Sequence, residues 1–261
     1  MTFKNIIFEK KDKISKITLN RPEQGNTLNL ELAKELFQAV NETAADEDTK
    51  ALILTGSGKL FCGGGDLKYL LSNKNNVKKV LLEMTHYFHG AVSRMASMSI
   101  PTIVAINGTA GGGGFSLAIT GDIIYSIKKA NFTLAYTNAG LSPDGSSTYF
   151  LPRLVGLKVA KELMLTNRVF SADEAHEMGI IDKVFEDNAA LVEGVQKQAT
   201  QFSKGPTNAY SSVKKLLNFT YSSGLETQME YESLHIANNA QSSDGLEGML
   251  AFKEKRNPVF K

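Results

Sequence analysis

The chain has 261 residues, 42% of them hydrophobic, enough for a full core in one large domain or one domain with an appendage. Its 29 basic and 27 acidic residues leave a formal charge of +2, too little for a nucleic-acid-binding domain. No run of about 18 apolar residues marks a membrane span, the charged start MTFKNIIFEKKDK has no signal-peptide character, and one cysteine, Cys62, excludes an internal disulfide, so a soluble protein of the cytoplasm is expected.

Residues 3–20 read as two short strands, FKNIIFE and ISKITLN, around a charged KKDK turn. Arg21-Pro22 ends the second strand, and Asn29 is a candidate N-cap for a helix whose stripe is Leu32, Leu36 and Val40 with Ala33 and Phe37. ALILT (51–55) has the continuous apolar character of a buried strand and runs into a glycine cluster, Gly63-Gly64-Gly65. Residues 77–98 keep three-and-four apolar spacing and predict a long amphipathic helix ending before Pro101. A second buried-type strand, 102–106, runs into Asn107-Gly108 and then four consecutive glycines, Gly111 to Gly114, before a small-residue helix; a further strand follows at 122–127. Two strand–glycine–helix units in succession predict an α/β core with right-handed crossovers.

Residues 131–150 show neither period and read as an irregular loop ending where a helix starts near Ser146. Ser171-Ala172-Asp173-Glu174 is a capping box for a short helix that stops at Gly179, and 180–185 reads as a small strand. From 189 onward the pattern is helical, with breaks at Gly205-Pro206, Ser223-Gly224 and Asp244-Gly245. Lys214, Lys215, Lys253, Lys255 and Arg256 read as solvated helix faces.

The glycine clusters match no nucleotide loop. GSGKL has Ile53 where a Walker motif needs glycine and Leu60 where it needs Ser or Thr, and 111–116 ends in Ser116. Backbone amides at two such strand ends converge on one crevice and suit a developing oxyanion; close packing of helix on strand is the competing reading. His86 and His89 stand at i, i+3 with no acidic or thiol ligand beside them, so no metal is assigned. Cys62 reads as a small buried residue. Asp144, in Ser142-Pro143-Asp144-Gly145, is either an acid catalyst or a cap for the helix that follows.

The order of RPEQGNTLN, LFCGGGDL, PTIVAINGTAGGGGFSLA and GLSPDGSSTYFLPRLVG resembles the crotonase (enoyl-CoA hydratase/isomerase) superfamily over essentially the whole chain. The resemblance implies a spiral of ββα units: an α/β core over residues 1–200 and a helical region over 201–261 for trimerisation, giving a homotrimer or a dimer of trimers. It implies an acyl-CoA thioester as substrate, with coenzyme A part of that substrate and no separate cofactor. The implied oxyanion donors are the backbone N–H groups of Gly65 and Gly113. Gly63, Gly64, Asp66, Leu67 and Gly112 lie around the substrate, with Arg21 to Asn26 near the CoA. The basic C-terminal side chains are candidates for the CoA phosphates.

Hydratases of this superfamily carry two glutamates, at positions that are Ser116 and Tyr136 here. Asp144 matches the proton-shuttling acid of the double-bond isomerases, with Tyr136 shaping the pocket. Chlorobenzoyl-CoA dehalogenases place a nucleophilic Asp at that same position, a histidine base at the place of His89 and an aromatic at that of Tyr136. They also use tryptophans and a bulky residue at the place of Gly65, and this chain has no Trp. The resemblance therefore implies first an enoyl-CoA isomerase. The alternatives are an enoyl-CoA hydratase of fatty-acid oxidation, an aryl-CoA dehalogenase, or an acyl-CoA binder without turnover.

Overall fold

The computed structural model describes residues 3–260; residues 1–2 and 261, the outer ends of the two regions expected above, lie outside them. Strands β1 (Ile6–Lys11) and β2 (Ile14–Leu19) form an antiparallel hairpin. Its turn is tighter than KKDK: Asp12 and Lys13 alone make it, both with positive φ (53° and 64°), which matches the twist of the flanking strands. Helix α1 (Leu30–Ala45) is capped as expected, with Asn29 accepting from the Leu32 N–H at 2.9 Å.

The chain then alternates between two sheets. Strand β3 (Ala51–Gly56) joins the first sheet and β4 (Leu60–Cys62) the second, followed by helices α2 (Leu67–Ser72) and α3 (Val77–Ser97). Strand β5 (Thr102–Ile106) returns to the first sheet, β6 (Thr109–Gly111) to the second, and α4 (Gly113–Ala118) follows. Strands β7 (Ile123–Ile127) and β8 (Asn131–Thr133) repeat the pattern and lead to α5 (Ser147–Thr166). Then come β9 (Phe170–Ser171), α6 (Ala172–Glu177), β10 (Lys183–Phe185) and α7 (Asn188–Ser203). The result is a six-stranded sheet in the order β1-β2-β3-β5-β7-β10, parallel from β2 onward, beside a four-stranded sheet in the order β4-β6-β8-β9. Three successive strand–strand–helix turns make the expected ββα spiral.

The large sheet is buried on both faces, which is why its strands read as apolar runs. Leu52, Leu54, Val104 and Ile106 face the main core with α1 and α3; Ile53, Ile103 and Ala105 face Leu191, Val195 and Ala199 of α7. Residues 131–150 are less irregular than expected, since they contain β8 and a 3-10 turn at Thr137–Ala139. The Ser171 hydroxyl accepts from the Glu174 N–H, but the Glu174 carboxylate pairs with Arg168 instead of completing the capping box.

The tail is helical throughout: α8 (Thr207–Phe219), α9 (Leu225–Gln241) and α10 (Ser243–Glu254). The break expected at Asp244-Gly245 falls at Ser242 instead, whose side chain accepts from the Gly245 N–H and caps α10. Lys214 corrects the reading of a solvated face. It is buried, and its Nζ donates to the Met95 and Ile100 carbonyls and pairs with Asp122 at 2.6 Å, fastening α8 to the core. No helix among the described residues is long and apolar enough to cross a membrane.

Candidate active site

Strands β4 and β6 are parallel neighbours, so the glycine loops that leave them emerge side by side. The loops touch backbone to backbone. A Cβ on Gly64, where φ is +97°, would sit 2.8 Å from the Gly111 carbonyl oxygen and 3.3 Å from the Gly113 nitrogen. A Cβ on Gly114 would sit 2.2 Å from the Cys62 carbonyl. Only glycine permits both approaches.

Local hydrogen bonding sets the direction of the two amides. Gly65 bridges Leu28 in parallel register: the Leu28 N–H donates to Gly64 and the Asp66 N–H donates to Leu28, which turns the Gly65 N–H to the opposite side. Gly113 opens α4, whose first internal bond runs from the Ser116 N–H to Gly112, so its own N–H has no helical acceptor. Neither amide donates to another group among the described residues. Both glycines line one cavity of about 320 Å³. Gly63, Gly64, Gly112 and Leu67 line it as well, and its walls are mainly apolar, including Leu28, Leu70, Leu81, Met84, Phe88 and Leu141. Two free N–H donors at the end of an apolar cavity can hold one carbonyl oxygen and strengthen as it takes on charge.

Asp144 and Tyr136 line the same cavity. The Tyr136 hydroxyl donates to Asp144 Oδ1 at 2.7 Å and lies 2.9 Å from Ser116 Oγ. Burial, then the charge on Asp144, push the Tyr136 hydroxyl well above its ordinary value, so it stays a donor. His89 Nε2 lies 3.3 Å from Asp144 Oδ2 and 3.2 Å from the Gly145 nitrogen. The helix-cap reading of Asp144 is answered by its atoms. Ser147 donates to the Asp144 main-chain carbonyl, and the carboxylate is left for Tyr136 and His89.

Asp66 sits beside the cavity and has other partners. Its carboxylate caps α2 through the Tyr69 N–H at 3.0 Å and pairs with Arg21 at 3.0 Å. Burial works against its charge, but the Tyr69 N–H and the Arg21 guanidinium outweigh burial and hold the carboxyl below the usual range. Arg21 also donates to the Thr27 carbonyl, and the Asn26 amide donates to the Ser57 and Leu60 carbonyls, so the 21–27 turn is bound into the fold. Cys62 is buried, donates to the Asn26 carbonyl, and burial pushes its thiol up to about 12. It is no nucleophile at neutral pH.

The enoyl-CoA hydratase/isomerase family model matches residues 9–261. The chain belongs to the enoyl-CoA hydratase/isomerase family. It is an acyl-CoA-processing enzyme of that family, and its fold is the crotonase fold. It is 34% identical to a 1,2-epoxyphenylacetyl-CoA isomerase of Escherichia coli over 94% of this chain and 93% of that protein. It is 30% identical to a 4-chlorobenzoyl coenzyme A dehalogenase of an Arthrobacter species over 96% of this chain and 91% of that protein. Among solved structures, an enoyl-CoA hydratase from Polaromonas sp. JS666 superposes with a TM-score of 0.93, at 31% identity, over 98% of this chain and 99% of that one. Three different reactions among such relatives leave the chemistry of this enoyl-CoA hydratase/isomerase homologue to be argued from its own side chains.

Sequence reading missed one connection in the site. In the sequence Ser116 registers only as a place where a glutamate is lacking, and Tyr136 as another such place and as a residue that shapes the pocket. In the fold they bond to each other and hold Asp144. Phe88 was legible only as part of a helical stripe, yet it packs against Gly145, where a Cβ would lie 2.4 Å from Phe88 Cε1.

Proposed function

We propose that the protein moves a carbon–carbon double bond within an enoyl-CoA thioester. The observation that carries this reading is a single carboxylate, Asp144, sharing an apolar cavity with two unpartnered amides, Gly65 and Gly113. The thioester oxygen binds to both N–H groups, each worth roughly 3–4 kcal/mol as the enolate forms. Asp144 removes a proton from one carbon and returns it to another, which needs neither water nor a cofactor. Oδ1 is occupied by the Tyr136 hydroxyl, so Oδ2 is the working oxygen. Hydration would need a second group to activate water. At the two places where family hydratases carry glutamates stand a serine and a tyrosine bonded to each other, and neither is a base at neutral pH.

Leu67, Gly63, Gly64 and Gly112 form the wall around the thioester in this reading, and Asp66 holds the first loop in place through Arg21. The residues after 200 mediate assembly as a homotrimer or a dimer of trimers; exposed Leu225, Met229, Leu234, Leu246 and Phe252 on α9 and α10 support that role.

The test is to give the pure protein a 3-enoyl-CoA and a 2-enoyl-CoA separately. Interconversion at constant mass is expected; gain of water by the 2-enoyl ester without interconversion contradicts the proposal. A second reading, aryl-CoA dehalogenation with Asp144 as nucleophile, is favoured by the His89–Asp144 contact. Chloride release from 4-chlorobenzoyl-CoA would support it over isomerisation.

A further inference from the structure

Asp144 shares a nitrogen with the main chain. His89 Nε2 faces both Asp144 Oδ2, at 3.3 Å, and the Gly145 N–H, at 3.2 Å. One imidazole nitrogen carries either a proton or a lone pair. With a lone pair, Nε2 accepts from Gly145; with a proton, it donates to Asp144. The two contacts therefore mark two protonation states of one atom that does not need to move between them. The ring is held for this by its place on α3, next to the Phe88 side chain on which Gly145 packs.

The surroundings decide where a proton on Asp144 can go. On the Oδ1 side it meets the Tyr136 hydroxyl, which is itself a bound donor and leads to the Asp144 main-chain carbonyl, buried Ser116 and the Gly112 carbonyl. That side is closed. On the Oδ2 side it meets His89, whose side chain is 49% exposed, against 34% for Asp144.

We propose that His89 is the exit through which the proton carried by Asp144 exchanges with water during turnover. This rests on the isomerase reading above. A C–H bond of the bound thioester breaks, its electron pair enters the enolate, and an O–H bond forms at Oδ2. That proton passes to Nε2, giving carboxylate and imidazolium. The imidazolium exchanges its N–H protons with water, one proton returns to Oδ2, and from there it is delivered to the second carbon. Nothing is oxidised or reduced, and the product differs only in the origin of one hydrogen. His89 thus sets how much of the transferred hydrogen comes from solvent.

The test is isomerisation of a 3-enoyl-CoA in D2O, stopped at low conversion, with deuterium per product molecule read by mass spectrometry. The wild-type product is expected to carry solvent deuterium. His89→Gln keeps an amide that can accept from Gly145 and donate to Asp144 but cannot take up a proton. Its product is expected to carry severalfold less deuterium at equal conversion, whatever its kcat. Equal deuterium content in both products, or a wild-type product free of deuterium, overturns the role of His89 and leaves the isomerase reading standing. If neither protein moves the double bond, that reading fails, and exchange of the α-hydrogens of octanoyl-CoA in D2O tests His89 alone. There a severalfold slower exchange in His89→Gln is expected; equal rates, or no exchange in the wild type, overturn the proposal.

Discussion

The carboxylate of Asp144 is divided by its neighbours: one oxygen is tied to a tyrosine whose hydroxyl burial pushes well above its ordinary value, the other faces a histidine at the edge of solvent. The phenol orients the acid and is in turn oriented by Ser116. Removing only that hydroxyl, in Tyr136→Phe, deletes one hydrogen bond to a charged group, about 1.5 kcal/mol, which corresponds to roughly tenfold in rate. The expected result is a kcat lowered by that order with KM nearly unchanged, because the ring still fills its part of the cavity wall. Steady-state kinetics on an enoyl-CoA checks it; a KM effect alone would make Tyr136 a wall residue and nothing more.

At the level of elements, the site exists because two short parallel strands end in loops that only glycine lets touch. Gly64→Ala places a methyl group 2.8 Å from a carbonyl oxygen at a positive φ and is expected to cost about 1–3 kcal/mol of stability, whereas at Gly65 nothing lies within 4 Å and Gly65→Ala is expected to fold normally. Thermal melts of the two variants check the contrast. The first loop is also pinned by Asp66, whose folded carboxyl lies below its usual range. A depressed acid contributes stability that is present above the unfolded value, about 3.9, and is lost as pH falls through the folded one. Melting temperature against pH should therefore drop less steeply below about pH 4 in Asp66→Asn than in the wild type. Strands β1, β2, β3, β5 and β7 of the large sheet and α3 were legible in the sequence because each shows a period or an apolar run. Strands β4, β6 and β8 were not, since three residues carry no period, and their pairing is set by partners far along the chain. Gly245 misled for a related reason: it sits in the first turn of a helix that Ser242 caps, not in a break.

Across the whole molecule, the two-sheet spiral is tied to its helical tail through buried Lys214, paired with the partly exposed Asp122, and through Asn218, which donates to the Ala96 carbonyl. Burial pushes the Asp122 carboxyl up against the pull of Lys214 and the Thr102 N–H. Lys214→Ala removes the cation and three donated bonds, with an expected loss of about 2–3 kcal/mol, moderated because the stranded acid can take up a proton. Denaturant unfolding measures it, and, for the assembly proposed above, a shift toward smaller species on size-exclusion chromatography is expected alongside, since α8 packs on α9. No local pattern could have marked Lys214 as buried, because its partners lie about a hundred residues away. The glycine loops and Asp144 were legible because backbone donors and a lone acid leave marks in composition and order. The chain from Ser116 through Tyr136 to Asp144 was not, because a hydrogen bond between distant side chains leaves none. The measurement that bears most directly on the chemistry is the rate of double-bond movement in Asp144→Asn, a substitution that keeps size and hydrogen-bonding capacity while removing the base. A fall of about 10²–10⁴-fold with the acyl-CoA still bound is expected; a rate equal to the wild type would show that another group moves the proton.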